Sequence, residues 1–349
     1  MASEIGTEAE YGRWWEAVCS ARVCAVQLNL RALQTVYVRR FAGSKINGAL
    51  WAGLSAVAEG HPDATVRSQA RRALSKHIPS ENRAGFAEKR LVLGLPAGPL
   101  YVRPGESFAL SLILFGDTAE TWPAWVLAAE RLNLQPGCLE LVSAAAITPV
   151  GPRLVSSFSD PSEALTTLGA LSGIGAGQDG LSGNLRRESW EVPAQEDAGP
   201  ALGAAVTAPG DGAPDREPGV PDRPWRLVFE TPVVLEARGE TIWDVPTAEP
   251  LIVSALSSLG AVGGARPGVE NTRRLRALAA QTPAAPRQLR RVRALHHRGH
   301  DVYGLTGELF FTQLPATLRE ILWLAQFTHL GQLSAFGLGR FTLRPVGAV

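Results

Sequence analysis

From residue 22 the chain alternates: Cys24, Val26, Leu28 and Leu30 are apolar, while Gln27, Asn29 and Arg31 between them are polar. A period of two over this run predicts a half-buried strand at 22–31. In 41–60 the period lengthens, with Ile46, Leu50, Leu54 and Val57 at helical spacing before Gly60. Residues 62–78 read as a second short helix with Arg67, Arg71, Arg72 and Lys76 on its polar side. SFALSLILFG (107–116) predicts a strand, AWVLAAERLNL (124–134) a helix entered at Pro123, and CLELVSAAAI (138–147) another strand. Strand, helix, strand, helix, strand is the order of a split βαβ unit of the ferredoxin-like kind.

The pattern then stops and restarts. Residues 151–224, most plainly 159–222, are rich in Gly, Ala, Pro and Asp and poor in large apolar side chains. Such a segment buries too little surface to offset its ordering entropy, so composition predicts a mobile linker or insertion. Beyond it, WRLVFETPVVLEA (225–237) reads as a strand with a Thr-Pro break and PLIVSALSSLGAV (250–262) as a helix. RQLRRVRALHHR (287–298) and DVYGLTGELFFTQL (301–314) read as a hairpin around Gly299. A helix at 314–331 and a strand at 340–346 complete a second β-α-β-β-α-β order. The expected fold is α+β: an N-terminal segment (1–20), a ferredoxin-like domain (21–150), the linker (151–224) and a second ferredoxin-like domain (225–349).

The length of 349 residues accommodates two domains, and a hydrophobic fraction of 45% is that of a protein with a real core. No basic stretch precedes an apolar run at the start, and no apolar stretch reaches the ~20 residues of a membrane helix. Three cysteines at no zinc-like spacing fit a reduced, cytoplasmic protein without a structural metal. No membrane partner and no cofactor are expected. Net charge is +1, so any field that holds a charged partner has to be local.

One local field stands out. Between Asn271 and His300 there is no acid, yet there are eight arginines: Arg273, Arg274, Arg276, Arg287, Arg290, Arg291, Arg293 and Arg298. His296, His297 and His300 close the block. Guanidinium suits bidentate phosphate contact better than ammonium, so the block reads either as a polyanion surface or as a solvated helix and hairpin face. A second feature is HLGQLSAFGLGRFTL (329–343), with Gly331, Gly337 and Gly339 in nine residues. Glycine clusters mark backbone at positive φ or a close approach, though a plain loop before a terminal strand also fits.

YGLTGELFF, a helix ending FTHLG, then AFGLGRFTL together resemble the C-terminal signature of the CRISPR-associated endoribonucleases that cut precursor CRISPR RNA, members of the RAMP superfamily. FAGSKINGALWAGL and FALSLILFGDTAETWPAWVLAA match more loosely. The resemblance implies tandem ferredoxin-like RNA-recognition modules, with CRISPR repeat RNA as partner and other CRISPR effector subunits as further partners. It implies cleavage without metal: the 2′-OH attacks the adjacent phosphorus and leaves a 2′,3′-cyclic phosphate. His329 occupies the family's His-x-Gly position and is the first candidate for catalysis, with His296, His297 and His300 on the hairpin as alternatives and Lys45, at the start of the first helix, chosen as the cation. The resemblance assigns Arg287, Arg290, Arg291, Arg293, Arg298, His297, Gly331, Gly337, Gly339 and Arg340 to RNA binding, the glycines letting backbone lie against RNA. His329 equally fits a helix-end histidine bonded to local carbonyls. Relatives often carry a histidine near the first helix, whereas this chain has none between residues 30 and 60. A non-catalytic RAMP-type subunit that binds CRISPR RNA in an effector complex is therefore the alternative.

Overall fold

The computed structural model describes residues 2–19, 21–75, 91–95, 99–134, 137–148, 151–157, 183–184, 223–237, 239–264, 266–297 and 300–346. They form two compact units: one from the described residues of Met1–Ala21 and Ala204–Val349, the other from those of Arg22–Asn184.

In the N-terminal unit, β1 (Arg22–Ala32) lies between β5 (Ser107–Phe115) and β7 (Cys138–Thr148), and β3 (Leu91–Gly94) pairs with the far side of β5. The order β7-β1-β5-β3, antiparallel throughout, is the 4-1-3-2 sheet of a ferredoxin-like fold. Register puts the apolar alternation to use: Leu28 faces Leu110 and Ala144 across the two ladders, and all three are buried. Helix α2 (Gly43–Gly60) buries Ile46, Leu50, Leu54 and Ala58. Helix α3 (Ala64–Ser75) starts where Asp63 accepts the backbone N–H of Thr65 at 2.6 Å, a bond that lowers the Asp63 carboxyl below its usual range. Two further strands, β2 (Val36–Phe41) and β4 (Pro99–Val102), pair as a separate ribbon.

The helix expected at 124–134 is shorter. A 3₁₀ turn at Gly116–Thr121 leads into α4 (Trp122–Ala128), and the chain then enters β6 (Arg131–Asn133), which pairs with β7. Pairing to an existing edge wins over helical spacing here. Part of the stretch read as linker is also sheet: β8 (Gly151–Ser157) pairs with β7, and β9 (Gly183–Asn184) with β1. Composition averaged over a long window does not register short backbone ladders. The rest of 151–222 lies outside the described residues.

The C-terminal unit repeats the arrangement. Strands β10 (Trp225–Val233), β13 (Ala285–His297), β14 (His300–Phe311) and β15 (Phe341–Pro345) stand in the order β13-β14-β10-β15. Two-residue strands β11 (Glu236–Ala237) and β12 (Glu240–Thr241) follow β10. Leu227 faces Leu309 and Leu343, and these pack with Phe311 and Phe341 into one core. Its cover comes from α5 (Glu249–Gly263) and α7 (Ala316–Thr328), with α6 (Val269–Ala280) packed on α5. A helix from the start of the chain, α1 (Ala2–Cys19), belongs to this unit too, with Trp14, Trp15 and Val18 in its core. Among the described residues no helix is long and apolar enough to cross a membrane.

Candidate nucleic-acid interface

The glycine-rich segment is built on the end of α7. His329 follows the last helical residue at φ 58° and ψ 162°, a region that side chains rarely occupy, and turns the chain back. Its ring is 2% exposed, with Nδ1 3.3 Å from the Leu338 carbonyl. Gly331 and Gly339 both hold φ 74°, and an added Cβ would stand 2.3 Å from the Val234 oxygen and 1.7 Å from the Leu330 oxygen respectively. The N–H of Gly331 is also used, donating to Ser254 Oγ at 2.6 Å. The close approach that these glycines allow in this structure is by the protein's own backbone. Gly337, at φ 85°, is buried as well.

Thr231 holds the segment to β10. Fully buried, its hydroxyl donates to the Gly337 carbonyl at 2.9 Å and accepts from the Arg340 N–H at 2.8 Å. The Thr-Pro break marks a pause in the strand; that it receives a loop 106 residues away has no sequence signal. Gln332 and Arg340 carry the outer side of the segment, Arg340 Nε lying 2.6 Å from Glu230.

The β13–β14 hairpin carries the arginines. Arg287, Arg290, Arg291 and Arg293 are all exposed. Register pairs Arg290 with Thr306, Arg291 with Leu305 and Arg293 with Tyr303, so Arg291 and Arg293 share a face and Arg290 takes the other. Arg291 is sandwiched: its guanidinium carbon lies 4.1 Å from the Trp243 ring centroid and 4.5 Å from that of Tyr303. Two aromatic faces fix the guanidinium plane and leave its N–H edges for an anion. Arg287 stands 5.8 Å over Phe310, and Arg293 pairs with Asp301. Sequence reasoning misses both Trp243 and Tyr303, because stacking across elements leaves no local pattern.

The arginine block is less isolated than its sequence. On α6, Arg273 pairs with Glu270, Arg274 lies 3.9 Å from Glu270 and Arg276 lies 2.8 Å from Glu249. Acids just outside the run fold back onto it, and the positive surface contracts to the hairpin. Arg298 and the side chains of His297 and His300 lie outside the described residues. In the N-terminal unit, Lys45 is exposed in the first turn of α2, which has no acidic residue and no side-chain cap. A cation there works against the helix dipole and adds to the positive end of the helix. Cys24 is no nucleophile: burial pushes its thiol up to about 12.

Residues 227–341 match the sequence profile of the family CRISPR-associated endoribonuclease Cas6. This stretch resembles a Cas6 domain. The match runs from β10 to the first residue of β15 and so takes in the hairpin, α7 and the glycine-rich segment. A Cas6 product complex aligns over 93% of this chain and 99% of its own, at 18% identity and a TM-score of 0.51. Cas6 from Thermus thermophilus aligns over the same shares at 15% identity and a TM-score of 0.50. A chain of a partial Cas6-RT-Cas1–Cas2 complex aligns over 94% of this chain at 13% identity and a TM-score of 0.53. This chain spans about half, 46%, of that one's length. At such identities the alignments establish the shared tandem ferredoxin-like fold. No curated protein matches the chain.

Proposed function

We propose that this chain matures CRISPR RNA, binding a repeat on the arginine hairpin and cutting it by attack of a ribose 2′-OH on the adjacent phosphorus. The observation that carries this reading is the match to the Cas6 profile at 227–341, whose span coincides with the exposed arginines and the locked glycine segment. The 2′-oxygen bonds to phosphorus, the bond to the 5′-oxygen breaks, and a 2′,3′-cyclic phosphate and a 5′-hydroxyl result. A base takes the 2′ proton, an acid returns one to the leaving oxygen, and a cation offsets the charge of the phosphorane. On the hairpin, His300 moves a proton. His329 acts as a positioning residue, since its buried ring bonds the loop instead of facing solvent.

End-labelled repeat RNA incubated in EDTA tests the reading. Cleavage should persist, and a 2′-deoxy substitution 5′ of the cut should leave binding intact and abolish cleavage. Activity that vanishes in EDTA and returns with magnesium would overturn the mechanism. The burial of His329 favours one second reading, a CRISPR RNA-binding subunit without catalysis. Tight binding of the repeat with no product, in EDTA or magnesium, would establish it.

A further inference from the structure

The β2–β4 ribbon of the N-terminal unit is aromatic on the side where a ribbon usually carries charge. Its register pairs Val36 with Val102, Tyr37 with Tyr101 and Val38 with Leu100. The four aliphatic residues are buried, whereas Tyr37 and Tyr101 are 46% and 56% exposed. Their rings meet edge to face, with centroids 6.0 Å apart and planes at 78°, so one face of one ring is occupied by that contact while both side chains remain exposed. Arg103 lies just past the end of β4, two residues beyond Tyr101. Its guanidinium carbon is 5.9 Å from the Tyr101 centroid and its side chain is exposed. Glu106 accepts the Arg103 backbone N–H at 2.8 Å, and among the described residues no acid forms an ion pair with the guanidinium.

We propose that this ribbon is a stacking platform for unpaired nucleotides: the tyrosine faces take bases and Arg103 takes the phosphate between them. Every base has a flat π-face, so aromatic rings beside a cation hold single-stranded RNA with little regard to sequence. The charge and the hydroxyl-tipped rings fit RNA better than an apolar protein surface. Gln34 and Thr35, both exposed, add polar groups just before the ribbon, next to the exposed Leu33. The inference rests on RNA being the substrate, and it adds where the single-stranded part of that substrate is held.

The experiment uses the full chain and two labelled RNAs, an eight-nucleotide uridine oligomer and a repeat bearing an unpaired flank, read by fluorescence anisotropy. Tyr37→Ala and Tyr101→Ala should each weaken oligomer binding by roughly fivefold or more, the lower edge of what one base stack contributes. Tyr101→Phe keeps the ring and should bind as wild type, whereas Tyr101→Leu keeps apolar bulk without a π-face and should bind like the alanine variant. Equal affinities for all variants, or rescue by leucine, would overturn the platform. Tyrosine-dependent oligomer binding without repeat cleavage would sustain the platform and overturn the processing role. Repeat cleavage with tyrosine-independent binding would do the reverse. A shift in self-association on mutation, with RNA binding unchanged, would identify the face as a protein contact and overturn the proposal.

Discussion

At residue scale the most informative side chain is His329, because its backbone and its ring pull in different directions. The backbone sits at φ 58° and ψ 162°, where glycine is at ease and an L side chain is strained. The ring offsets that strain by bonding the Leu338 carbonyl inside the loop. Stability and chemistry therefore separate in two substitutions. His329→Ala keeps the strain and loses the ring, whereas His329→Gly loses both, so the usual ranking reverses and the glycine variant should be the more stable, by about 1 kcal/mol. If His329 positions the loop, single-turnover cleavage should follow stability, with the glycine variant nearer wild type and the pH–rate profile unchanged in shape. If it transfers a proton, both variants should lose the same ~10²-fold or more. Thermal melts beside a cleavage time course distinguish the two.

At the scale of elements the hairpin β13–β14 carries the argument. Replacing Arg287, Arg290, Arg291 and Arg293 together by Ala should weaken RNA binding across sequences. It should also flatten log K against log salt by about 0.7 for each phosphate of single-stranded RNA that no longer meets a guanidinium. Arg291→Lys should bind almost as poorly as Arg291→Ala, because an ammonium cannot replace a plane clamped between Trp243 and Tyr303. An unchanged slope in the fourfold variant, measured by anisotropy over a salt series, would make the hairpin a solvated face. Alternation along β1, β5, β10, β14 and β15 makes these strands and both sheets legible from sequence. So does the helical spacing of α2, α5 and α7. The β2–β4 ribbon, β3 and α6 are not legible as elements, being short or lacking an apolar period of their own. The same limit governs the candidate site. Arginines and glycines announce themselves locally, whereas Thr231, Ser254 and Trp243 act on residues far along the chain.

At the scale of the whole molecule, sequence order and folding units part company at the first helix. In ASEIGTEAEYGRWWEAVC only Tyr11, Trp14, Trp15 and Val18 form an apolar stripe at helical spacing, and an isolated helix of that kind would be marginal in water. Tertiary packing holds it instead: Trp14 and Trp15 are 1% and 2% exposed, their rings meet at 5.6 Å, and they share a core with Leu251, Leu259 and Leu275. The helix thus completes the unit that bears the hairpin and the glycine segment, although more than 200 residues intervene. Trp15→Ala should cost about 3–5 kcal/mol, the range for emptying a large aromatic site. The indole N–H of Trp15 has no hydrogen-bond partner among the described residues. Phenylalanine keeps most of the buried ring and removes that unsatisfied donor, so Trp15→Phe should lie much nearer wild type than Trp15→Ala. Calorimetry on the full chain should show the loss in the transition of the C-terminal unit, with the other unit's transition in place. Repeat-RNA affinity should fall with it as temperature rises. A melt unmoved by Trp15→Ala would mean that α1 is an appendage, and that the C-terminal unit folds without it.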